Sequence, residues 1–195
     1  MRRLLICVLM TLPLLLTACS LPGGVSKEEE LALAIRGEYL KTDRWTGRAA
    51  LTADYGRRVY QYELTATCAD GETLLTLTAP EEAAGITARI TGKDSRLEYD
   101  GLSVETGPLD SGGLTPVSSI PVMLEAARSG YMTACAMEED TGLLRVEYGE
   151  PEGAPDTGRV VTLWFDSAGH GLKQGEIWSD GFRVVLCRWL EFVKN

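Results

Sequence analysis

The chain has 195 residues and a formal net charge of −9 at neutral pH. Since 45% of its residues are hydrophobic, there are enough apolar side chains for the core of one domain after a short N-terminal segment. The acidic balance argues against nucleic acid as a partner and against electrostatic docking on anionic lipid surfaces.

The N-terminus has the layout of a secretory signal peptide. Arg2 and Arg3 precede an apolar run at residues 4–16, which is shorter than the roughly 20 apolar residues of a membrane-spanning helix. Residues 16–19, Leu-Thr-Ala-Cys, resemble the lipobox of bacterial lipoproteins. The resemblance implies cleavage before Cys19 and acyl chains, such as palmitate, on its sulfur and on the new amino terminus. The alternative is an ordinary signal peptide in which the cysteine occurs by chance.

We therefore predict three segments. Residues 1–18 form the signal peptide, residues 19–25 form the lipidated cysteine and a flexible tether with a Pro-Gly-Gly sequence, and residues 26–195 form one folded domain. The acyl anchor would hold the protein in the cell envelope, on the extracytoplasmic side of a membrane.

A capping box predicts the first helix. The hydroxyl of Ser26 can accept from the amide of Glu29, and the Glu29 carboxylate can reach back to the Ser26 amide. Apolar residues then recur at three- and four-residue steps, at Leu31, Ala34, Ile35 and Tyr39. This spacing predicts an amphipathic helix that ends near residue 40.

From Trp45 the apolar period changes to two, which is typical of strands. One face of a long strand carries Tyr60, Tyr62, Leu64, Ala66 and Cys68. Asp-Gly pairs at 70–71, 100–101 and 180–181 predict tight hairpin turns, because both positions tolerate positive φ. Further strands are expected at 72–79, 86–90, 97–99, 102–104, 131–137, 143–148, 159–165, 172–178 and 182–193.

A second helix is predicted in the middle of the chain. Ser119, Ile120 and Pro121 would open it, and Gly130 would end it. The total is about ten antiparallel strands and two helices in a mostly β domain of the α+β class. Because so large a sheet must curl, we expect a curved half-barrel with the N-terminal and mid-chain helices covering its concave face. Such a half-barrel can enclose an apolar space.

The order of these elements resembles the lipoprotein carrier superfamily typified by LolA, LolB and LppX. The matching parts are the capped helix at 26–40, the hairpins at 46–79, the Lys-Asp-Ser-Arg-Leu-Glu-Tyr-Asp-Gly stretch at 93–101, the mid-chain helix and the closing hairpin at 179–181. The resemblance implies a half-barrel whose helices cover a hydrophobic cavity. It also implies a role in binding lipids or, in anchored relatives, proteins.

Eight residues are the predicted lining of a ligand cavity: Tyr60, Tyr62, Leu75, Leu77, Met123, Leu124, Trp164 and Phe182. Ligand sites are concave and mostly apolar, and a methionine on a covering helix would supply an adaptable surface. The alternative for each residue is an ordinary place in the core of a β domain. An arginine on a strand near the mouth would suit a phosphate head group.

The sequence offers no arrangement for catalysis. His170 is the only histidine, and its Gly-His-Gly setting predicts an exposed turn. The cysteines of the domain, Cys68, Cys135 and Cys187, match no metal-site spacing. We expect them to be small buried hydrophobes, although a disulfide between two of them stays open. No metal, cofactor or enzymatic activity is predicted.

The predicted function is a membrane-anchored lipoprotein that binds a lipid or other apolar ligand in the half-barrel, as a carrier or receptor. The alternative is a regulatory lipoprotein, associated for example with germination or with the envelope, that uses the same fold to bind an extracytoplasmic protein partner without a lipid cargo.

Overall fold

The computed structural model describes residues 24–92, 94–108, 114–150 and 158–195. In chain order the elements are helix α1 (Lys27–Lys41), strands β1 (Trp45–Asp54), β2 (Val59–Ala69) and β3 (Glu72–Ala79), a 3-10 helix (Glu81–Ala83), strands β4 (Thr87–Thr91), β5 (Asp94–Tyr99) and β6 (Leu102–Pro108), helix α2 (Pro116–Ser129), and strands β7 (Tyr131–Met137), β8 (Leu143–Gly149), β9 (Arg159–Asp166), β10 (Leu172–Ser179) and β11 (Phe182–Lys194). Cys19 and the predicted signal peptide lie outside the described residues and stay predictions. None of the described helices is long and apolar enough to cross a membrane.

All eleven strands form one antiparallel sheet in the order β6-β5-β4-β3-β2-β1-β11-β10-β9-β8-β7. Strands that follow one another in the chain pair with one another, except at β6 and β7, and the first strand also pairs with the last at the centre of the sheet. Within the described residues β6 and β7 do not pair with each other, so the sheet is open. The predicted fold class is confirmed, with eleven strands instead of about ten.

The Asp-Gly turns form as predicted. Asp70, Asp100 and Asp180 have φ of 54°, 49° and 49°, and the glycine that follows each one also has positive φ. Both central residues of these hairpin turns are therefore left-handed, which matches the right-handed twist of the strands they join.

Helix α1 also begins as predicted. The Glu29 amide donates to the Ser26 hydroxyl at 3.1 Å, and the Ser26 amide donates to the Glu29 carboxylate at 2.8 Å. Three acidic residues occupy its first turn and Lys41 its last, in the orientation that the helix dipole favours.

Helix α2 begins earlier than predicted. Its N-cap is Thr115, whose hydroxyl accepts from the Ser118 amide at 3.1 Å, and Pro116 is its first residue. Pro116 fits there because the amides of the first helical turn have no acceptor within the helix, so the missing N–H of proline costs no hydrogen bond. Pro121, which was expected in the opening turn, therefore lies inside the helix.

Gly130 ends α2 as predicted, but its φ is −59° and its conformation is not left-handed. An added Cβ would lie 2.7 Å from the Ala126 carbonyl oxygen and 2.8 Å from the Tyr148 ring. Glycine is required there by the close approach of the helix end to the sheet.

Candidate functional site

One face of the sheet carries the hydrophobic core, and we call it the inner face. On β1 the buried residues alternate, so that Ala49, Leu51 and Ala53 are at most 1% exposed. Their partners on β2 are Leu64, Tyr62 and Tyr60. The predicted apolar face of β2 is therefore the inner face.

Helices α1 and α2 cover the inner face over strands β7 to β10. Met123 is fully buried and Leu124 is 5% exposed. The approach of α2 to β10 depends on Gly175, because an added Cβ would lie 2.5 Å from the Met123 sulfur. This half of the concave face is filled by the protein's own side chains.

The other half of the inner face ends in apolar side chains that stay exposed. Leu97 packs against the core, and Tyr99 follows it on the same face of β5. Their partners on β6 are Val104 and Leu102. Tyr99 is 53% exposed, Leu102 73% and Val104 62%. The face that forms the core elsewhere is open to solvent here.

Three tyrosines continue this exposed surface at the end of β2. The rings of Tyr60 and Tyr62 stack with centroids 6.3 Å apart, and the Tyr55 ring meets Tyr60 edge-on at 6.0 Å. Tyr60 is 37% exposed. Partial burial raises the pKa of Tyr55 above its ordinary value, with smaller contributions from its two neighbours.

A row of side chains joins these two parts across the sheet. Leu77 on β3 lies between them, partly buried against the core, and its amide donates to the Ile86 carbonyl. We call this row the open wing. It consists of Tyr60, Tyr62, Leu77, Ile86, Tyr99, Leu102 and Val104.

A cation lies at the tyrosine end of the open wing. Arg58 hydrogen-bonds to Tyr60, and this bond is the main cause that raises the pKa of its guanidinium above the ordinary value. Both residues are exposed. Arg58 directly precedes β2 and is not itself on a strand, but its exposed guanidinium lies near the open wing, where the sequence predicts an arginine for a head group.

The predicted cavity residues separate into four groups. Tyr60, Tyr62 and Leu77 lie in the open wing. Leu75 on β3 and Met123 and Leu124 on α2 form the second group, and all three are buried in the core. Phe182 is 75% exposed at the tip of the β10–β11 hairpin. The fourth group is Trp164 alone.

Trp164 lies on the opposite face of the sheet from the candidates of the open wing and the core. It alternates with Leu163 and Phe165, which are fully buried on the inner face. Its indole donates to the Glu138 carboxylate at 2.5 Å, and the Arg145 guanidinium lies 5.9 Å from its ring. It therefore does not line the concave face.

Sequence reasoning missed Tyr99, Leu102 and Val104 as site residues. A signal for them exists, because a two-residue Asp-Gly turn places Tyr99 opposite Leu102. Alternation then puts Val104 on the same face. What the pattern does not show is that β6 is the last strand on this side of the described sheet and that these side chains stay exposed.

His170 is less exposed than predicted, with 21% of its side chain accessible. Its Nδ1 lies 2.7 Å from one oxygen of Glu38, and Lys194 donates to the other oxygen at 2.6 Å. The ring fastens the β9–β10 turn to α1, since a carboxylate partner holds it against the helix. The predicted turn is present, but the expectation that its histidine is exposed is wrong, because the His170 side chain is partly buried against Glu38.

Cys68, Cys135 and Cys187 are all free thiols. Cys187 is fully buried, and burial raises its pKa to about 12. Within the described ranges no three His, Cys, Asp or Glu side chains are placed to hold a metal ion.

The chain was compared with known families, sequences and structures. No protein-family model and no curated protein sequence matches it. Its fold is similar to that of an uncharacterised conserved protein from Thermus thermophilus, with a TM-score of 0.51, 10% identity and coverage of 87% of this chain and 88% of that chain.

Two further solved structures are similar to this chain. A LolA superfamily protein from Nitrosomonas europaea has a TM-score of 0.44, 12% identity and coverage of 84% of this chain and 93% of that chain. The lipoprotein LppX from Mycobacterium tuberculosis has a TM-score of 0.45, 14% identity and coverage of 86% and 96%. The resemblance of the chain to the lipoprotein carrier superfamily is a likeness of fold alone.

Proposed function

We propose that the protein is an extracytoplasmic lipoprotein, anchored through acylated Cys19, that binds an acyl chain or other apolar ligand on its open wing. One observation carries the proposal. The inner face stays apolar as far as β6, yet Tyr99, Leu102 and Val104 are more than half exposed there. A contiguous exposed apolar surface of this kind marks a binding site in a soluble domain.

The dimensions of the open wing suit an extended acyl chain. The row crosses from β2 to β6, and strands lie about 4.8 Å apart, so its length is roughly 19 Å. Each methylene removed from water contributes about 0.8 kcal/mol. Affinity should therefore rise with the length of the acyl chain.

Arg58 supplies polarity at one end of the row. Beside Tyr60 it can donate to a carboxylate or phosphate, whereas the opposite end at Leu102 and Val104 is apolar. We infer that an anionic head group would lie near Arg58, with the chain running toward β6. The proposed role is binding, and no reacting group is assigned.

A fluorescent fatty-acid analogue tests this proposal. Val104→Asp should abolish its binding to residues 20–195, because binding the acyl chain there would remove the new carboxylate from water without a partner. Val193→Asp is the matched control, since Val193 is a 41% exposed strand valine on β11 outside the open wing. Equal affinity of the two variants would contradict the proposal.

A second candidate function is supported by the position of β6. Within the described residues this strand is an edge with no partner beyond it, and exposed edges can pair with a strand of another protein. The same three apolar side chains would then contact an extracytoplasmic partner. A chain that takes up no lipid but retains a protein partner through Val104 would favour this function.

A further inference from the structure

A second concavity lies on the other face of the sheet, at the end where β1 meets β2 and β10 meets β11. It is a groove of about 950 Å³, within the range of small-molecule sites. Thr52 and Leu186, which pair across β1 and β11, form part of its wall. They alternate with the buried Leu51 and Cys187, so this wall of the groove lies on the outer face, opposite the open wing. Tyr55, whose ring contacts Tyr60, lies where the two surfaces meet.

Aromatic rings form much of the groove. Trp178, Phe182 and Tyr55 line it, with Phe182 75% and Tyr55 50% exposed. Trp178 stays in register with Val160 on β9 and lies on the same face as Glu176. An extra residue on β11, Val184, brings Arg183 opposite Trp178. The indole N–H donates to Glu176 at 3.1 Å, which fixes the orientation of the ring.

The positive charge in the groove is already compensated. Arg183 donates to Glu176 at 2.8 Å, and the Glu176 side chain is only 10% exposed beneath it. Such a pair contributes little net field to a ligand, because each charge cancels most of the other at that distance.

Two carboxylates in the groove are not compensated by any described cation. Asp54 accepts from the Gly56 amide at 2.8 Å, and Asp180 accepts from the Gly158 amide at 3.1 Å. These bonds hold the side chains in place but leave their negative charges. The groove therefore combines aromatic faces with fixed negative charge.

We propose that this groove binds a small organic cation, an ammonium group carried on an apolar body. The faces of tryptophan, tyrosine and phenylalanine attract such cations, and the two carboxylates add long-range attraction while opposing anions. The apolar body gains by leaving water against Leu186 and the rings. The ligand is distinct from the acyl chain proposed for the open wing.

Choline is a suitable probe, with its neutral isostere, in which a tert-butyl group replaces the trimethylammonium group, as the matched ligand. The full chain in an uncharged detergent is titrated with each, and the indole N–H resonance of Trp178 is followed by NMR. Trp178→Phe identifies that resonance. We expect choline to shift it saturably and to bind at least fivefold more tightly than the isostere.

Replacing the two carboxylates by amides of the same shape tests whether their negative charge contributes to choline binding. Asp54→Asn and Asp180→Asn keep the acceptor for the backbone amides, and asparagine tolerates the positive φ of Asp180. The double variant should bind choline about fivefold or more weakly, with isostere binding unchanged. Asp100→Asn is the control, since Asp100 occupies an equivalent Asp-Gly turn with φ of 49° outside the groove.

Phe182→Ala tests the aromatic part separately. It should weaken choline binding by about fivefold, the factor expected for one exposed cation–π contact. Absence of saturable binding, equal binding of choline and its isostere, or an equal effect of Asp100→Asn would each overturn the proposal.

Discussion

Replacing Gly175 by alanine tests the contact that fills the helix-covered half of the inner face. The added Cβ would lie 2.5 Å from the Met123 sulfur and 3.1 Å from both Met123 Cε and a Leu163 methyl carbon. A carbon and a sulfur atom that are not bonded cannot remain 2.5 Å apart. Met123 has no exposed surface into which it can swing, so helix α2 must shift or the side chain must leave its preferred rotamer.

The magnitude follows from two opposing effects. Overpacking of a filled core costs about 1–3 kcal/mol, whereas replacing a strand glycine by alanine recovers about 0.5–1 kcal/mol of conformational entropy. We expect Gly175→Ala to lower the free energy of unfolding by about 1–2 kcal/mol. In a Met123→Ala background the new methyl group enters the vacated space, so the same change should cost nothing or stabilise the protein.

Urea unfolding of the four proteins in this cycle measures the coupling. Gly37→Ala is the matched control, because Gly37 lies inside α1 with no atom within 4 Å of an added Cβ. It should raise the free energy of unfolding by about 0.5–1 kcal/mol. The reasoning is refuted if Gly175→Ala is neutral alone, or if its cost is the same with and without Met123.

Two further predictions concern titration and thiol chemistry. The hydrogen bond from Lys194, with a smaller contribution from His170, holds the pKa of Glu38 below its ordinary value of 4.5. The stability that this cluster contributes is therefore present above pH 4.5 and is lost as the pH falls through the lowered pKa. Glu38→Gln should flatten the pH dependence of the unfolding free energy in this range. Burial raises the pKa of Cys187 to about 12, so this thiol should resist alkylation of the native protein at neutral pH while the partly exposed Cys68 reacts. Modification of both thiols at the same rate would contradict the buried position of Cys187.

Much of the fold could be predicted because its determinants are local. The Asp-Gly pairs fix hairpins through positive φ at residues such as Asp70 and Asp180, and the capping box at Ser26 fixes the start of α1. The start of helix α2 was harder to predict. Pro121 reads as an opening residue, but Thr115 and Pro116 already supply a cap and a first turn.

The candidate site depended on which face each residue occupies, and that is a property of the whole sheet. Residue type alone makes Trp164 a candidate for lining the cavity, yet its alternation with the buried Leu163 and Phe165 places it on the outer face. Leu102 and Val104 follow the pattern of core residues. They are exposed, and not buried, at the position where β6 is the last strand of the sheet within the described residues, which no short stretch of sequence reveals.

Native mass spectrometry of residues 20–195, expressed without the anchor and purified without detergent, tests the central claim most directly. The account predicts one acyl-bearing molecule retained per chain, released on denaturation and absent from Val104→Asp. A bare mass that takes up no added fatty acid or phospholipid would contradict lipid binding on the open wing.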